Sequence, residues 1–297
     1  MNNNKKVKIA LASYKTQQHF NNGVQHDEDE DLLNYLRSKS EDVTKEIWND
    51  EQVNWEQYDI VIVKSTWDYH IHLSEFLDWL THLESLGIMV KNNAKTIRWN
   101  SDKIYLKEIA DSGLPVVSSI FSETFDEVET SFEQLNTQEI VVKPRISAGA
   151  KDTFKVKRSE FSQHKNEIEK LMATTPIIVQ PFVKEIADGE WSFLFFGGNY
   201  SHSLLKTPKE KDFRVQHYWG GSVSTPQISG DIIEKSIQPY VSKFASDTLY
   251  ARVDGVFIDG IFHLMELELI EPYLFLSTSE NSFENYYQAL LKVKSAL

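Results

Sequence analysis

The sequence predicts a protein that is α/β in its N-terminal third and α+β beyond it, and three observations carry that prediction. Buried-type strands alternate with amphipathic helices up to about residue 94, a compact set of four strands and two helices fills residues 116–183, and acids are embedded in a strand hairpin within residues 252–276. Composition agrees with a folded chain: 41% of the 297 residues are apolar and 25% charged, and no apolar run is long enough to span a bilayer. A net charge of -13 argues against nucleic-acid binding, which needs a basic phosphate-facing surface. The absence of cysteine excludes disulfides, thiolate metal sites and cysteine nucleophiles. The N-terminus passes from MNNNKK into a strand without an apolar signal core, so a cytoplasmic location is expected.

Taken in order, residues 7–12 (VKIALA) form a strand. Residues 27–39 form a helix whose acidic start, Asp27 to Asp31, complements the helix dipole and is read as solvated rather than metal-binding. Residues 58–64 (YDIVIVK) read as a parallel strand. The segment after it, Ser65, Thr66, Trp67, Asp68, Tyr69 and His70, lies where ligands of open α/β sheets bind, beyond a strand's carboxyl end. It is a candidate substrate loop, equally compatible with a loop held by Trp67 packing and Asp68 capping. A helix over 74–86 begins with Ser74 as N-cap and stops at Gly87, and residues 88–91 return as a strand. Next, Asn100, Ser101 and Asp102 cap a helix over 103–111. Lys103 in its first turn opposes the dipole, which suggests an anion nearby.

The module over 116–183 reads as a two-layer lid. Between its strands EIVVKP and TFKVKR, the small residues Ser147, Ala148 and Gly149 would let backbone N–H groups approach an anion, with charge from Lys143 and Arg145. A tight hairpin loop with one obligatory glycine fits the same letters. Residues 191–196 and 200–206 form a hairpin through Gly197, Gly198 and Asn199, and a basic stretch over 207–221 follows. In that stretch Arg214 could grip a phosphate or carboxylate, while His217 is read as structural. A core-facing helix over 231–249 then delivers the chain into the acidic hairpin, and a final helix covers 282–296.

In that hairpin Glu266 and Glu268 are two apart and share a strand face, and the Asp259-Gly260 turn can bring Asp254 alongside them. Such hard oxygen donors suit Mg2+, although the same acids would also make a solvent-facing strand edge. The expected organisation is an α/β domain over 1–95, a connecting helix over 96–115, a lid over 116–183 and a C-terminal domain over 184–297.

The order of these features, with VVKP, QPFV and DFRVQ, resembles the ATP-grasp ligases, most nearly prokaryotic glutathione synthetase, over almost the whole chain. STWDY, PRISAGAKDT, GEWSFLFF, YSHSLLK and ELELIEP are similar to the subgroup of cyclo-ligases that close D-cycloserine from O-ureido-D-serine. The resemblance implies an ATP-grasp fold with an N-terminal parallel α/β domain, a small mobile lid and a C-terminal nucleotide- and metal-binding domain. It implies ATP with Mg2+, or Mn2+ as the substitute ion. By position it places Lys103, Lys143 and Arg214 at the nucleotide phosphates, Gln180, Phe182 and Val183 at adenine, Glu190 at ribose, and Asp254, Glu266 and Glu268 on the metal. Two positions depart from the pattern: Glu268 replaces the usual asparagine, and Ser192 stands where glutathione synthetases carry an arginine near the acceptor. Arg252, on the strand face of Asp254, could supply that positive charge.

The implied reaction joins a carboxylate to an amine, in one molecule or between two, through an acylphosphate, with ADP and phosphate released. Small amino-acid-like substrates are expected, with no nucleic acid or membrane partner, and proteins of this appearance are commonly homodimers. The alternatives are ligation onto a peptide or protein, and a nucleotide sensor without turnover.

Overall fold

The computed structural model describes residues 6–15, 27–150, 152–209, 214–215 and 220–297. Lys151, His217 and the DFRVQ stretch other than Arg214 and Val215 lie outside the described residues. Strand β1 (Lys8–Ser13) is followed by helix α1 (Glu28–Ser38), β2 (Asp42–Ile47), β3 (Ile60–Ser65), α2 (Leu73–Ser85) and β4 (Met89–Lys91). The four strands lie in the order β2-β1-β3-β4 and every pairing is parallel. β1 and β3 are apolar almost throughout because helices cover both faces. Ile9, Leu11, Ile60 and Ile62 meet Leu32, Leu33 and Leu36 of α1, and the alternate residues Ala10, Ala12, Val61 and Val63 share a core with Phe76, Trp79 and Leu80 of α2. β2 is an addition to the sequence reading. Its letters, DVTKEI, mix charges with β-branched residues, as an edge strand with one buried position does.

Three local expectations are corrected. α2 is capped at His72 without a side-chain bond, rather than by Ser74. The helix expected over 103–111 is present as α4 (Tyr105–Asp111), capped at Ile104 without a side-chain bond rather than by Asn100, Ser101 or Asp102; a further short helix, α3 (Ala94–Asn100), precedes it and leaves Lys103 in the turn between the two. Asn93 caps α3 by accepting from the Thr96 amide, and Asp102 accepts from the Ile104 amide in the turn. The acidic start of α1 is only partly solvated: Glu28 and Asp29 are buried against Lys64, which has no exposed surface.

The next unit contains β5 (Ile120–Ser122), α5 (Phe125–Gln134), β6 (Glu139–Pro144), β7 (Phe154–Lys157), α6 (Lys165–Met172) and β8 (Ile177–Pro181). Its antiparallel sheet runs β5-β8-β6-β7. Thr124 and Glu127 form a capping box at α5. Val128, Phe132, Ile140, Val142, Phe161 and Ile168 make a core confined to this unit.

The last sheet runs β11-β10-β9-β12-β13, built from β9 (Glu190–Phe196), β10 (Asn199–Thr207), β11 (Ser222–Ser224), β12 (Tyr250–Ile258) and β13 (Ile261–Glu268). Between β11 and β12, helix α7 (Gly230–Ile232) continues through a π turn (Ile233–Ile237) into α8 (Gln238–Phe244). Pro239 has no N–H to give to the ladder, which is why the expected straight helix is interrupted there, and it stops at Phe244. Asp259 and Gly260, both at positive φ, make the β12–β13 turn. Helix α9 (Ser282–Lys294) closes the chain.

One face of this sheet, with Leu194, Phe196, Leu204 and Tyr250, joins α9 and the α1 side of the parallel sheet in a single core. The two terminal units are thereby fused. Side chains finish the free edge of β13 and the segment after it: Asn100 donates to Leu267 O and accepts from the Leu269 amide, and Asn92 donates to Leu269 O.

Candidate active site

Strand registers set the site. Lys206 pairs with Glu190, Ser192 with Asp254, Asp254 with Glu266 and Arg252 with Glu268. Directly opposed residues share a face, so β10, β9, β12 and β13 carry one polar stripe across the sheet. A bulge interrupts the β12–β13 ladder immediately after Asp254. The neighbouring Gly255 permits the close approach, since a Cβ there would lie 2.3 Å from His263 O.

The stripe forms the floor of a cavity of ≈ 610 Å³. Lys143, Ser147, Ala148, Gly149, Gln180, Phe182 and Val183 line it from the middle unit, Lys103 from the α3–α4 turn, and Glu190, Arg214, Arg252, Asp254, Glu266 and Glu268 from the last. Trp67, Asp68 and Tyr69 line its far end, together with Tyr14, Tyr273 and Phe275. Ser65 and Thr66 do not reach it: both are buried, and the Ser65 hydroxyl donates to Asp29 at 2.7 Å. Asp68 also accepts from the Trp48 indole at 2.7 Å, so it is held from behind.

Every acid of the stripe has a basic neighbour. Lys103 Nζ lies 3.0 Å from Glu266 and donates to Ser147 O at the same distance. Lys206 Nζ lies 3.1 Å from Asp254 and also contacts Glu190. The Arg252 guanidinium lies 2.9 Å from Asp254, touches Glu268, and donates to Tyr273 O at 2.9 Å. Ser192 donates to Asp254 at 2.6 Å, so Arg252 and Lys206 bring positive charge to the acid beside which Ser192 sits. Arg145, expected to charge the loop, instead grips Asp102 through two bonds of 2.9 and 2.6 Å.

Burial alone would raise the Asp254 carboxyl, but Arg252 and Lys206 hold it down at about 2. Glu268 goes the other way: burial, with Asp254 and Glu266 nearby, pushes it up to about 8 against the pull of Arg252. Burial, assisted by Lys103, lowers Lys143 to about 8 although Glu266 opposes the shift. Glu271 is raised well above the carboxylate range, by burial and then by Glu268.

Several lining residues escaped the sequence reading, among them Tyr14, Lys206, Glu271, Tyr273 and Phe275. Lys206 could have been found as the register partner of Glu190 across the GGN turn, and Glu271, Tyr273 and Phe275 by their alternation in EPYLFL.

Residues 9–92 match the family model of the D-cycloserine synthetase DcsG N-terminal domain, and residues 102–260, more than half of the chain, match that of the prokaryotic glutathione synthetase ATP-grasp domain. The chain belongs to this ATP-grasp family. It is accordingly an ATP-grasp ligase of the ADP-forming, C–N bond-forming class. It is 26% identical over 271 residues to the cycloserine biosynthesis protein DcsG of Streptomyces lavendulae, covering 84% of this chain and 88% of that one. A crystal structure of D-cycloserine synthetase DcsG superposes with a TM-score of 0.81 at 24% identity, covering 96% of this chain and 99% of the other. The D-alanine–D-alanine ligase of Bacillus anthracis complexed with ATP gives 0.68 at 16% identity, with 96% of each chain covered. These two likenesses establish the ATP-grasp fold. No helix among the described residues is long and apolar enough to cross a membrane.

ATP-grasp enzymes generally work with ATP and a divalent cation. Among the described residues no three acids converge as an all-protein metal cage requires. Asp254 and Glu266 do face one another across a strand pair, with Glu268 next on the same face. That donor set fits an ion such as Mg2+, which takes one or two carboxylates and completes its shell with phosphate oxygens and water.

Proposed function

We propose that this chain ligates a small amino-acid-like carboxylate to an amine through an acylphosphate. The observation that carries the reading is the single cavity joining Lys143 and the small-residue loop, the acidic stripe, and an aromatic far wall. Its basic end matches a polyphosphate and its aromatic end a small organic acceptor. ATP is assigned to the lid side, with adenine between Phe182 and Val183 beside Gln180, ribose at Glu190, and phosphates at Lys103, Lys143, Arg214 and the amides of Ser147, Ala148 and Gly149. Asp254, Glu266 and Glu268 are assigned to Mg2+, which when bound neutralises charge on the phosphate oxygens.

An acceptor carboxylate oxygen attacks the γ-phosphorus, the bond to the β-phosphate oxygen breaks, and ADP leaves. Lys143 and Arg214 offset the charge gathering on the transferred group, and Arg252 orients the carboxylate. An amine then attacks the acyl carbon, loses a proton, and inorganic phosphate departs. Residues 116–183 act as a lid that keeps water from the acylphosphate.

The test is a screen for ADP release with Mg2+ over D- and L-amino acids, dipeptides and ureido amino acids. Release with one of these acceptors is expected, with formation of the corresponding amide or ring. Silence across the whole panel overturns the small-acceptor reading and favours a peptide acceptor or a sensor.

A further inference from the structure

Glu28 is buried at the start of α1, and both of its carboxylate oxygens are directed at a loop 246 residues further along the chain. One accepts from the Leu274 amide at 2.7 Å and the other from the Leu276 amide at 2.8 Å. Phe275 between them is held in the left-handed region at φ 51, a conformation unfavourable for an aromatic residue without such support. Leu274 and Leu276 are fully buried while Tyr273 and Phe275 face the cavity. The same loop is stitched from the other sides by Trp67, which donates to Glu271 O at 2.9 Å, and by Arg252, which donates to Tyr273 O at 2.9 Å.

The counter-ion of Glu28 is Lys64, 3.0 Å away and fully buried. Lys64 ends the apolar run of β3 and leads directly into the wall formed by Trp67, Asp68 and Tyr69. One ion pair therefore ties together the two facing walls at the aromatic end of the cavity. An apolar contact could join α1 to the loop with less desolvation, but it would not fix two amide directions. Asp29 reinforces the node by accepting from Ser65 and lying 3.5 Å from both Lys64 and Lys45.

We infer that Glu28, with Lys64, is a positioning residue that sets the spacing of the acceptor-binding walls without touching the acceptor. The inference rests on the reading that the aromatic end holds the acceptor. It is tested by comparing Glu28→Gln and Glu28→Asp with the unmodified chain. The first keeps the size and removes the charge, whereas the second keeps the charge opposite Lys64 but is too short to span both amides.

Amide hydrogen exchange should accelerate by about tenfold or more over both residues 65–71 and residues 271–277, with lid residues 139–157 unchanged. Affinity for Mg2+-AMP-PNP should stay within about twofold, while KM for O-ureido-D-serine as acceptor probe rises about tenfold and KM for ATP does not. Acceleration confined to one wall, acceleration in neither, or an equal loss of nucleotide and acceptor affinity overturns the inference. If Glu28→Gln fails to fold, Glu28→Asp decides alone. If the unmodified enzyme turns over neither O-ureido-D-serine nor any other small acceptor, the proposed function fails, and the exchange pattern still decides whether Glu28 couples the two walls.

Discussion

The acids at the start of α1 and those on the β12–β13 hairpin use similar residues and end in different chemistry. Glu28 and Asp29 meet Lys64 where no solvent reaches, and their remaining capacity is taken up by the Leu274 and Leu276 amides and the Ser65 hydroxyl. Asp254, Glu266 and Glu268 meet Lys206, Lys103 and Arg252 along an open cavity, where long basic side chains are the main partners. Backbone amides cannot leave without unfolding a loop, whereas lysine and arginine side chains can turn toward an incoming anion. What completes a carboxylate's hydrogen bonds, more than its burial or its sequence neighbours, separates a structural acid from one available to a ligand.

The largest effect that would break this contrast is at the hairpin. Asp254→Asn or Glu266→Gln should cut Mg2+-dependent ADP formation by about 10²–10³-fold, the range for losing one group that stabilises transition-state charge. The melting temperature should change little for Glu266→Gln, since that side chain already reaches the cavity. ADP-release rates and a thermal melt check both points, and full turnover in both variants would remove these acids from the metal assignment.

At the α1 cluster the expectation is reversed, with stability lost first. Lys64→Met leaves Glu28 and Asp29 buried without their shared counter-ion, a change that typically costs about 3–5 kcal/mol. Replacing the pair together, as Glu28→Gln with Lys64→Met, should recover part of the loss because the Glu28 charge is gone and Asp29 keeps Lys45 at 3.5 Å. Urea unfolding of the single and double variants measures the difference, and equal losses in both would show that the pair is not coupled.

This contrast also explains how much could be read from the letters. β1, β3 and the two hairpins were legible because periodicity and turn chemistry act within a few residues, and the family resemblance pointed to most of the charged residues that line the cavity. The sealed cluster was not legible, because DEDED before a leucine-rich helix is the pattern of a solvated start. Its burial depends on a loop far away in sequence whose amides need acceptors. Lys103 reached the cavity for a reason other than the one first given. It is no first-turn cation, and it sits between two helices with its amide donating to Arg145 O. Lys206 was hidden because its role emerges only when β10 lies beside β9 and β9 beside β12.

A smaller effect concerns pH. In the free enzyme Glu268 is raised to about 8 and Lys143 lowered to about 8, both chiefly through burial. Metal binding requires the carboxylate ionised, so it improves as pH rises through that value. Polyphosphate binding requires the ammonium protonated, so it weakens over the same interval. The kcat/KM profile for MgATP should therefore be a narrow bell centred near 8, because that parameter reports free-enzyme groups. Lys143→Arg should extend the alkaline limb and Glu268→Gln should flatten the acid limb. The kcat profile should be broader, since a bound cation lowers the carboxylate and bound phosphate raises the ammonium. A flat kcat/KM profile between pH 7 and 9 would separate both residues from nucleotide binding.

The smallest effect is at the junction between the middle unit and the rest. Arg145 and Asp102 form a bidentate pair, but both side chains keep contact with water, so the pair is worth less than about 1 kcal/mol. The core of the middle unit is its own, with contacts such as Ile178 reaching the neighbouring cluster, so a weak ion pair at its edge would bias the closure proposed for this unit without holding the fold together. Arg145→Gln should raise KM for ATP about threefold and leave stability unchanged, the scale of one such pair. The shift should shrink at high salt, where the native pair is already screened. An effect tenfold larger and insensitive to salt would mean that Arg145 meets the nucleotide itself, placing this third acid–base contact with the hairpin acids rather than with the sealed cluster.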